Sequence, residues 1–77
     1  MIRVYTAPGC GPCTAVKHAM RSRKLMFSEV DATTAEATEY LASLGYRQVP
    51  VTVTPEGEHW QGLDSERITA LAAMVVL

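Results

Sequence analysis

Two cysteines separated by two residues, Cys10-Gly11-Pro12-Cys13, stand where the sequence changes from a strand pattern to a helix pattern. The segment before them, Ile2 to Thr6, is rich in β-branched and aromatic residues and ends in the loop signal Ala7-Pro8-Gly9. From Gly11 onward, apolar residues recur at the spacing of one helix face: Cys13, Val16 and Met20. A Cys-x-x-Cys motif at such a strand-to-helix boundary is typical of a thiol redox site.

The rest of the chain continues the alternation of strands and helices. Further strands are predicted at Met26–Val30, Val49–Thr54 and Glu58–Gln61, and further helices at Thr34–Leu44 and from a cap at Asp64 or Ser65 onward. A helical crossover makes the first two strands parallel, whereas the short turn at 55–57 makes the last two antiparallel. The sequence therefore predicts one α/β domain spanning 1–77, a four-stranded mixed sheet flanked by three helices in the order βαβαββα.

Helical spacing also predicts which side chains face inward and which face solvent. On the helices, the predicted inward set comprises Ala37, Leu41, Leu44, Ile68, Leu71 and Val75. The methionines Met20, Met26 and Met74 are also expected in the core. A solvated face of the first helix is predicted to carry Lys17, Arg21 and Lys24.

Composition excludes several classes of protein. The formal net charge of -1 and the pI of about 6.0 argue against a nucleic-acid binder and against a polybasic membrane anchor. No apolar run approaches the roughly 18 residues of a spanning helix, and the N-terminus lacks the apolar stretch of a secretory signal. One cysteine pair is too few for a secreted disulfide scaffold. We therefore expect a cytoplasmic domain without nucleic-acid or membrane partners.

The position of each cysteine predicts its role. Cys10 falls at the helix start, where free backbone N–H groups and the helix dipole favour a thiolate, which is the attacking species. Cys13 lies one turn later on the apolar face and is expected to be buried. Cys10 would form a mixed disulfide with a substrate, and Cys13 would resolve it. Gly11 and Pro12 would set the geometry of the motif, because proline suits the first helical turn.

Three other interpretations compete with a redox role. A structural disulfide closing so short a loop gains little chain-entropy stabilisation. A zinc site needs two more ligands, and the only histidines, His18 and His59, are interpreted as surface residues. A pair of inert buried thiols conflicts with the exposed loop signal before Cys10. The sequence accordingly predicts no metal ligands.

Val49-Pro50 is the second sequence feature that indicates a functional site. A proline at the start of a predicted strand is unusual because it removes a backbone donor, and X-Pro is the only common cis peptide. A cis bond here would leave the backbone of Val49 free to pair with an extended substrate. The alternative is an ordinary trans proline that opens an edge strand.

At these residues the chain resembles the NrdH-type redoxins, glutaredoxin-sized members of the thioredoxin-like superfamily. The resemblance rests on three segments: Val4-Tyr5-Thr6 before the motif, Gly45-Tyr46-Arg47-Gln48-Val49-Pro50-Val51, and His59-Trp60-Gln61-Gly62. It implies a thioredoxin-like fold, a cis Pro50 and a two-cysteine mechanism. It also implies a monomer without a bound cofactor, reduced by a thioredoxin reductase that holds the FAD and uses NADPH. The implied acceptor is the C-terminal tail of the ribonucleotide reductase large subunit.

The chain departs from that family at three places. Gly11-Pro12 is the thioredoxin dipeptide, Ala7 replaces a basic residue, and Leu63-Asp64-Ser65 is closer to a glutaredoxin segment that binds glutathione. One alternative is therefore a glutaredoxin reduced by glutathione or another small thiol. A second, non-enzymatic alternative is a Cys-x-x-Cys module that binds zinc or an iron–sulfur cluster. The buried acid that thioredoxins keep beneath the second cysteine is also missing from the first strand, which implies a different proton route.

Four residues outside the motif are candidate contacts for a partner or a thiol: Arg47, Trp60, Gly62 and Asp64. Arg47 would either dock an acidic segment of the reductase or be merely solvated. For Trp60 we expect packing of the hairpin on the last helix, with a hydrogen bond at the indole N–H.

Overall fold

Strands and helices alternate in the computed structural model, which describes residues 1–75. The strands are β1 (Ile2–Thr6), β2 (Phe27–Asp31), β3 (Val51–Val53) and β4 (His59–Gln61). The helices are α1 (Gly11–Ser22), α2 (Ala35–Ser43) and α3 (Ser65–Val75). The predicted element order βαβαββα is confirmed. The predicted domain includes residues 76–77, which lie outside the described residues. The Val75 side chain, which was predicted to face inward, is also not described.

The strands form one mixed sheet in the order β2-β1-β3-β4. β1 runs parallel to β2, with Ile2 opposite Phe27, and antiparallel to β3, with Val4 opposite Thr52. β3 and β4 form the predicted antiparallel hairpin. The loop after β1 therefore emerges between the end of β2 on one side and the start of β3 on the other.

Alternation along β1 divides the core into two clusters, one on each face of the sheet. Val4 faces the side covered by α1 and α3, whereas Tyr5 faces α2. The first cluster contains Ile2, Val4, Val16, Met20, Leu25 and Ile68. The second contains Tyr5, Ala37, Leu41, Val51 and Val53. The predicted inward residues Leu44 and Leu71 are partly buried and pack against these clusters.

The end of α1 shows why the expected positions of Lys24 on the helix face and of Met26 in the core were wrong. The helix ends at Ser22, and Lys24 lies beyond it with φ +57°, so it is not part of the helix face. This turn, closed by a bond from the Leu25 N–H to the Met20 carbonyl (3.0 Å), directs Leu25 into the core. Met26, predicted as a buried strand residue, consequently lies before β2 with 76% of its surface exposed.

Three more expectations need correction. Met74 was predicted as core, but it is 60% exposed on α3. β3 is shorter than predicted because Pro50 has no N–H to pair and Thr54 already closes the hairpin turn through its bond to the Glu58 carbonyl. Glu58 itself lies outside β4. Within residues 1–75, no helix combines the length and the apolar character needed to cross a membrane.

Candidate active site

The Cys10 sulfur sits at the N-terminus of α1. The loop from β1 turns at Gly9, whose φ of +74° favours glycine, and the Cys10 N–H bonds the Ala7 carbonyl at 3.4 Å. Cys10 is the N-cap residue, and its Sγ accepts the Cys13 N–H at 3.1 Å. One of the free donors of the helix end is thus directed at the sulfur, which favours a thiolate there in the reduced protein.

The two cysteines differ sharply in exposure. Cys10 is half-buried, whereas Cys13 is only 1% exposed and begins the buried face of α1. They form a disulfide, with their Cα atoms 5.3 Å apart. Gly11 and Pro12 form the exposed first turn between them. The predicted motif geometry, with an accessible first cysteine and a buried second one, is therefore present.

The start of β3 approaches Cys10 from one side. The Val49–Pro50 peptide bond is cis, as the resemblance implies. The Val49 carbonyl oxygen lies 3.9 Å from Cys10 Sγ, and Pro50 is fully buried. The Gly62 N–H donates to the Pro50 carbonyl at 2.8 Å, with Gly62 at φ +85°. The structure thus brings Val49 and Pro50 beside the accessible cysteine and ties Gly62 to Pro50, although these residues come from separate sequence segments.

A groove of about 680 Å³ opens on the other side of the disulfide. Both cysteines line it, together with Thr6, Lys17 and Glu29. Glu29 lies on β2, and its carboxylate accepts the Lys17 ammonium at 2.9 Å and the Thr6 hydroxyl at 2.7 Å. These two hydrogen bonds, that of Lys17 first, hold the pKa of Glu29 below its ordinary value.

Sequence reasoning missed this cluster. Lys17 was predicted to be solvated, but its side chain is only 22% exposed and is paired with Glu29. The spacing of four residues between Cys13 and Lys17 was a readable signal, because such residues share a helix face. Glu29 carried no comparable signal, since its position depends on the register of β2 against β1.

Asp31, at the end of β2, also borders the groove. Its Oδ1 accepts the Thr33 hydroxyl at 2.6 Å and the Thr33 backbone N–H at 2.8 Å. These bonds lower the pKa of the Asp31 carboxyl, the hydroxyl bond contributing most.

Of the remaining predicted contact residues, Trp60 and Asp64 contact other parts of the fold, whereas Arg47 is exposed. Trp60 is 6% exposed and lies beneath the Arg67 guanidinium of α3, 5.2 Å from the ring centre, so the predicted packing is confirmed. Its predicted hydrogen bond is not formed: the buried indole N–H has no partner among the described residues. Asp64 caps α3 through the Arg67 N–H (3.1 Å) and pairs with the Arg67 side chain (3.3 Å). Arg47 is exposed in its loop.

Neither histidine lines the groove that both cysteines border. His18 is exposed on α1, as expected, whereas His59 Nδ1 lies 2.7 Å from the Tyr46 hydroxyl and is partly buried. Across residues 1–75, no group of three or more His, Cys, Asp or Glu side chains is arranged to hold a metal ion.

Comparison with known proteins places this geometry in a family. The family model described as Glutaredoxin matches residues 2–60. The glutaredoxin-like protein NrdH of Escherichia coli K12 is 34% identical over 71 residues, which cover 91% of this chain and 86% of NrdH. The gene 56 protein of Mycobacterium phage L5 is 35% identical over 72 residues, covering 91% of this chain and 70% of that protein.

Solved structures agree with the sequence matches. The E. coli NrdH-redoxin superposes with a TM-score of 0.84 at 34% identity, covering 91% of this chain and 92% of that one. The thioredoxin-like protein BC3987 superposes with a TM-score of 0.76 at 29% identity, over 92% of this chain and 99% of that chain. The thioredoxin-like fold expected from the sequence is therefore confirmed. With the family model spanning most of the chain and the NrdH likeness extending through both sequence and structure, this chain belongs to the glutaredoxin family as a NrdH-like thiol–disulfide oxidoreductase.

Proposed function

We propose that this redoxin delivers electrons to ribonucleotide reductase and is itself recharged by a thioredoxin reductase that carries FAD and uses NADPH. The observation that carries the proposal is the pairing of a half-exposed Cys10 at a helix start with a buried Cys13, in a chain similar to NrdH over 91% of its length. The E. coli NrdH-redoxin is itself described as having a thioredoxin-like activity profile.

The proposed electron transfer follows from the two sulfur positions. In the reduced protein, the Cys10 thiolate attacks one sulfur of the substrate disulfide, forming a mixed disulfide and releasing the other sulfur as a thiolate that takes up a proton. Cys13, having lost its proton, then attacks Cys10 Sγ, closes the Cys10–Cys13 bond and releases the second substrate thiolate. Two electrons have then passed to the substrate, which leaves as a dithiol.

The surface around Cys10 suits an extended substrate. The Val49 backbone lies beside the sulfur, with its carbonyl oxygen 3.9 Å away, and can form main-chain hydrogen bonds with a peptide segment. We propose that the cysteine-bearing C-terminal tail of the ribonucleotide reductase large subunit docks there. The same proposal includes Arg47, exposed in the loop before Val49, as a contact for an acidic segment of the reductase.

Glutathione is the alternative electron source. Asp64 and Gly62 occupy the segment that favours this alternative, but the Asp64 carboxylate already caps α3 and pairs with Arg67. Ala7 places no cation beside Cys10 to receive a thiol's carboxylate. Both observations favour the thioredoxin reductase route.

A paired reductase assay tests the proposal. The oxidised protein and a protein disulfide, which serves as the final electron acceptor, are supplied with NADPH and thioredoxin reductase, or with NADPH, glutathione and glutathione reductase, and NADPH oxidation is followed. A Cys10→Ser variant serves as the blank. We expect turnover only with thioredoxin reductase, and ribonucleotide reductase turnover when that enzyme and its substrate are added. Faster turnover through glutathione would overturn the assignment in favour of a glutaredoxin role.

Three further parts of the proposal concern the state of the protein in the cell. We propose a cytoplasmic monomer that holds no cofactor of its own. Metal analysis and a visible spectrum of freshly purified protein test the zinc or iron–sulfur alternative, and sedimentation tests the oligomeric state. Stoichiometric zinc, or absorption typical of an iron–sulfur cluster, would contradict the proposal.

A further inference from the structure

The ion pair between Lys17 and Glu29 lies in the groove that both cysteines line. Lys17 is four residues after Cys13 on α1, so the two side chains leave the same side of the helix. Glu29 reaches Lys17 from β2 and is steadied by the Thr6 hydroxyl at 2.7 Å. A charge pair is thus built into the wall of the active-site groove by three separate elements, α1, β1 and β2.

A lysine beside thiols has a defined chemical effect. An ammonium in this groove stabilises a thiolate, lowers the thiol pKa and so stabilises the reduced form of the dithiol. A dithiol whose reduced form is stabilised is a weaker reductant. A carboxylate bonded to that ammonium cancels most of its field, because the two opposite charges lie 2.9 Å apart.

Two other charged residues, Asp31 and Arg21, lie near the ion pair, but neither takes the place of Lys17 or Glu29. Asp31, which also borders the groove, has its Oδ1 bonded twice to Thr33. Arg21 acts on Glu29 through space without a hydrogen bond, and Arg21 is absent from the groove lining. Lys17 is therefore the cation of the groove wall, and Glu29 is the group that balances it.

We propose that Glu29 is a positioning residue that neutralises Lys17 and thereby keeps the Cys10–Cys13 dithiol a strong reductant. The affected step is the two-electron oxidation of the dithiol to the disulfide, which releases two protons and passes both electrons to the substrate disulfide. Glu29 takes no part in bond making. It acts on the relative stability of the thiolate and the disulfide, whichever protein supplies or receives the electrons.

The test compares two single substitutions that are expected to shift the dithiol–disulfide equilibrium in opposite directions. Glu29→Gln keeps an acceptor for Thr6 but leaves Lys17 unbalanced, whereas Lys17→Gln leaves the Glu29 charge unbalanced. Equilibration with a glutathione redox buffer, read by alkylation and mass analysis, gives the dithiol–disulfide equilibrium constant. We expect Glu29→Gln to shift it about two- to fivefold toward the dithiol, the size of effect that partly exposed charge pairs produce. Lys17→Gln should shift it by a similar factor toward the disulfide.

Further variants separate this electrostatic role from a structural one. The double variant should return to near the wild-type equilibrium, and Lys17→Arg should preserve it. Glu39→Gln removes an exposed carboxylate on α2, across the sheet, and is the matched control. The pH dependence of Cys10 alkylation should move to lower pH in Glu29→Gln, and both single shifts should shrink in about 1 M salt. Shifts of the same sign in the two single variants, or shifts no larger than that of Glu39→Gln, would overturn the proposal.

Discussion

At the scale of single residues, the difference between Cys10 and Cys13 is one of access. Cys10 Sγ is half-buried and accepts the Cys13 N–H at 3.1 Å, whereas Cys13 is 1% exposed. This difference in exposure supports the proposal that Cys10 meets the substrate disulfide and that Cys13 attacks Cys10 from within. Both cysteines lie at the start of α1, Cys10 as its N-cap residue and Cys13 in its first turn.

Serine substitutions test this division of roles. We expect Cys10→Ser to abolish disulfide reduction, because it removes the nucleophile. Cys13→Ser should still attack but should accumulate mixed disulfides with its target, since nothing resolves them. Alkylation of the reduced protein near neutral pH, followed by peptide mapping, should label Cys10 first. Faster labelling of Cys13 would reverse the assignment.

A carboxyl group near the site links stability to pH. The Thr33 hydroxyl and, second, the Thr33 backbone N–H lower the folded-state pKa of Asp31. A lowered folded-state pKa contributes stability that is fully present above the unfolded-state pKa, about 3.9 for aspartate, and is lost as pH falls through the folded-state value. Asp31→Asn should therefore destabilise the protein near pH 6 and have no effect in strong acid. Urea unfolding at both pH values measures this, with Glu56→Gln, which removes an exposed carboxylate in the turn between β3 and β4, as the control. A destabilisation that is the same at both pH values would contradict the prediction.

Sequence could predict the position and burial of the two cysteines because both depend on neighbours in the chain. The strand-to-helix change, the cap position and the apolar face of α1 are all local. The Lys17–Glu29 pair was not predictable, because it joins α1 to β2 through the register of two parallel strands. The contact of Arg67 with the Trp60 ring was equally unpredictable, because it depends on the packing of α3 against the β3–β4 hairpin.

At the scale of elements, α3 begins at a side-chain cap. Asp64 accepts the Arg67 N–H at 3.1 Å, and its second oxygen lies 3.3 Å from the Arg67 guanidinium. An N-cap carboxylate satisfies a free helix donor and interacts favourably with the helix dipole. The sequence offered Asp64 both as a cap of this helix and as a thiol contact, and the structure shows the cap.

Replacement of the cap separates these two roles. We expect Asp64→Ala to lower the free energy of unfolding by about 1 kcal/mol, whereas Asp64→Asn should keep most of the stability because asparagine also caps well. Denaturant unfolding measures the change, and reduction by thioredoxin reductase should remain near wild type in both variants. A loss of turnover with thioredoxin reductase in Asp64→Asn, without a loss of stability, would show that the carboxylate contacts the partner instead.

Element types were predictable, but element ends were less so. The apolar period of α1 and the turn between β3 and β4 are strong local signals. The start of β2 was not predictable, because Leu25 and Met26 are both apolar. The left-handed turn at Lys24 decides which of the two is buried. Pro50 shortened β3 for a reason visible in the sequence, its missing N–H, although its effect on the predicted strand was underestimated.

At the scale of the whole molecule, the sheet order places the active site at a junction. The loop from central β1 emerges between β2, which carries Glu29, and the segment before β3, which carries Val49. One side of the disulfide therefore borders the Val49 backbone, and the other borders the ion pair between Lys17 and Glu29. The docking prediction came from Val49-Pro50 together with the Cys-x-x-Cys motif, both visible in the sequence, but the groove side exists only once β1 and β2 are paired.

The ion pair between Lys17 and Glu29 in the groove has a consequence for the reduction potential. Gly11-Pro12 is the dipeptide of thioredoxin, whose potential is about -270 mV, whereas glutaredoxins lie near about -200 to -230 mV. The Cys13 N–H stabilises the Cys10 thiolate, but Glu29 offsets the additional cation at Lys17. The reduced form is therefore only moderately stabilised, and we expect a potential nearer that of thioredoxin. Equilibration of the wild-type protein with reduced and oxidised dithiothreitol, read by alkylation, measures it directly. A potential in the glutaredoxin range would show that the helix start and the groove together stabilise the thiolate more than this geometry implies, and would favour glutathione as the electron source.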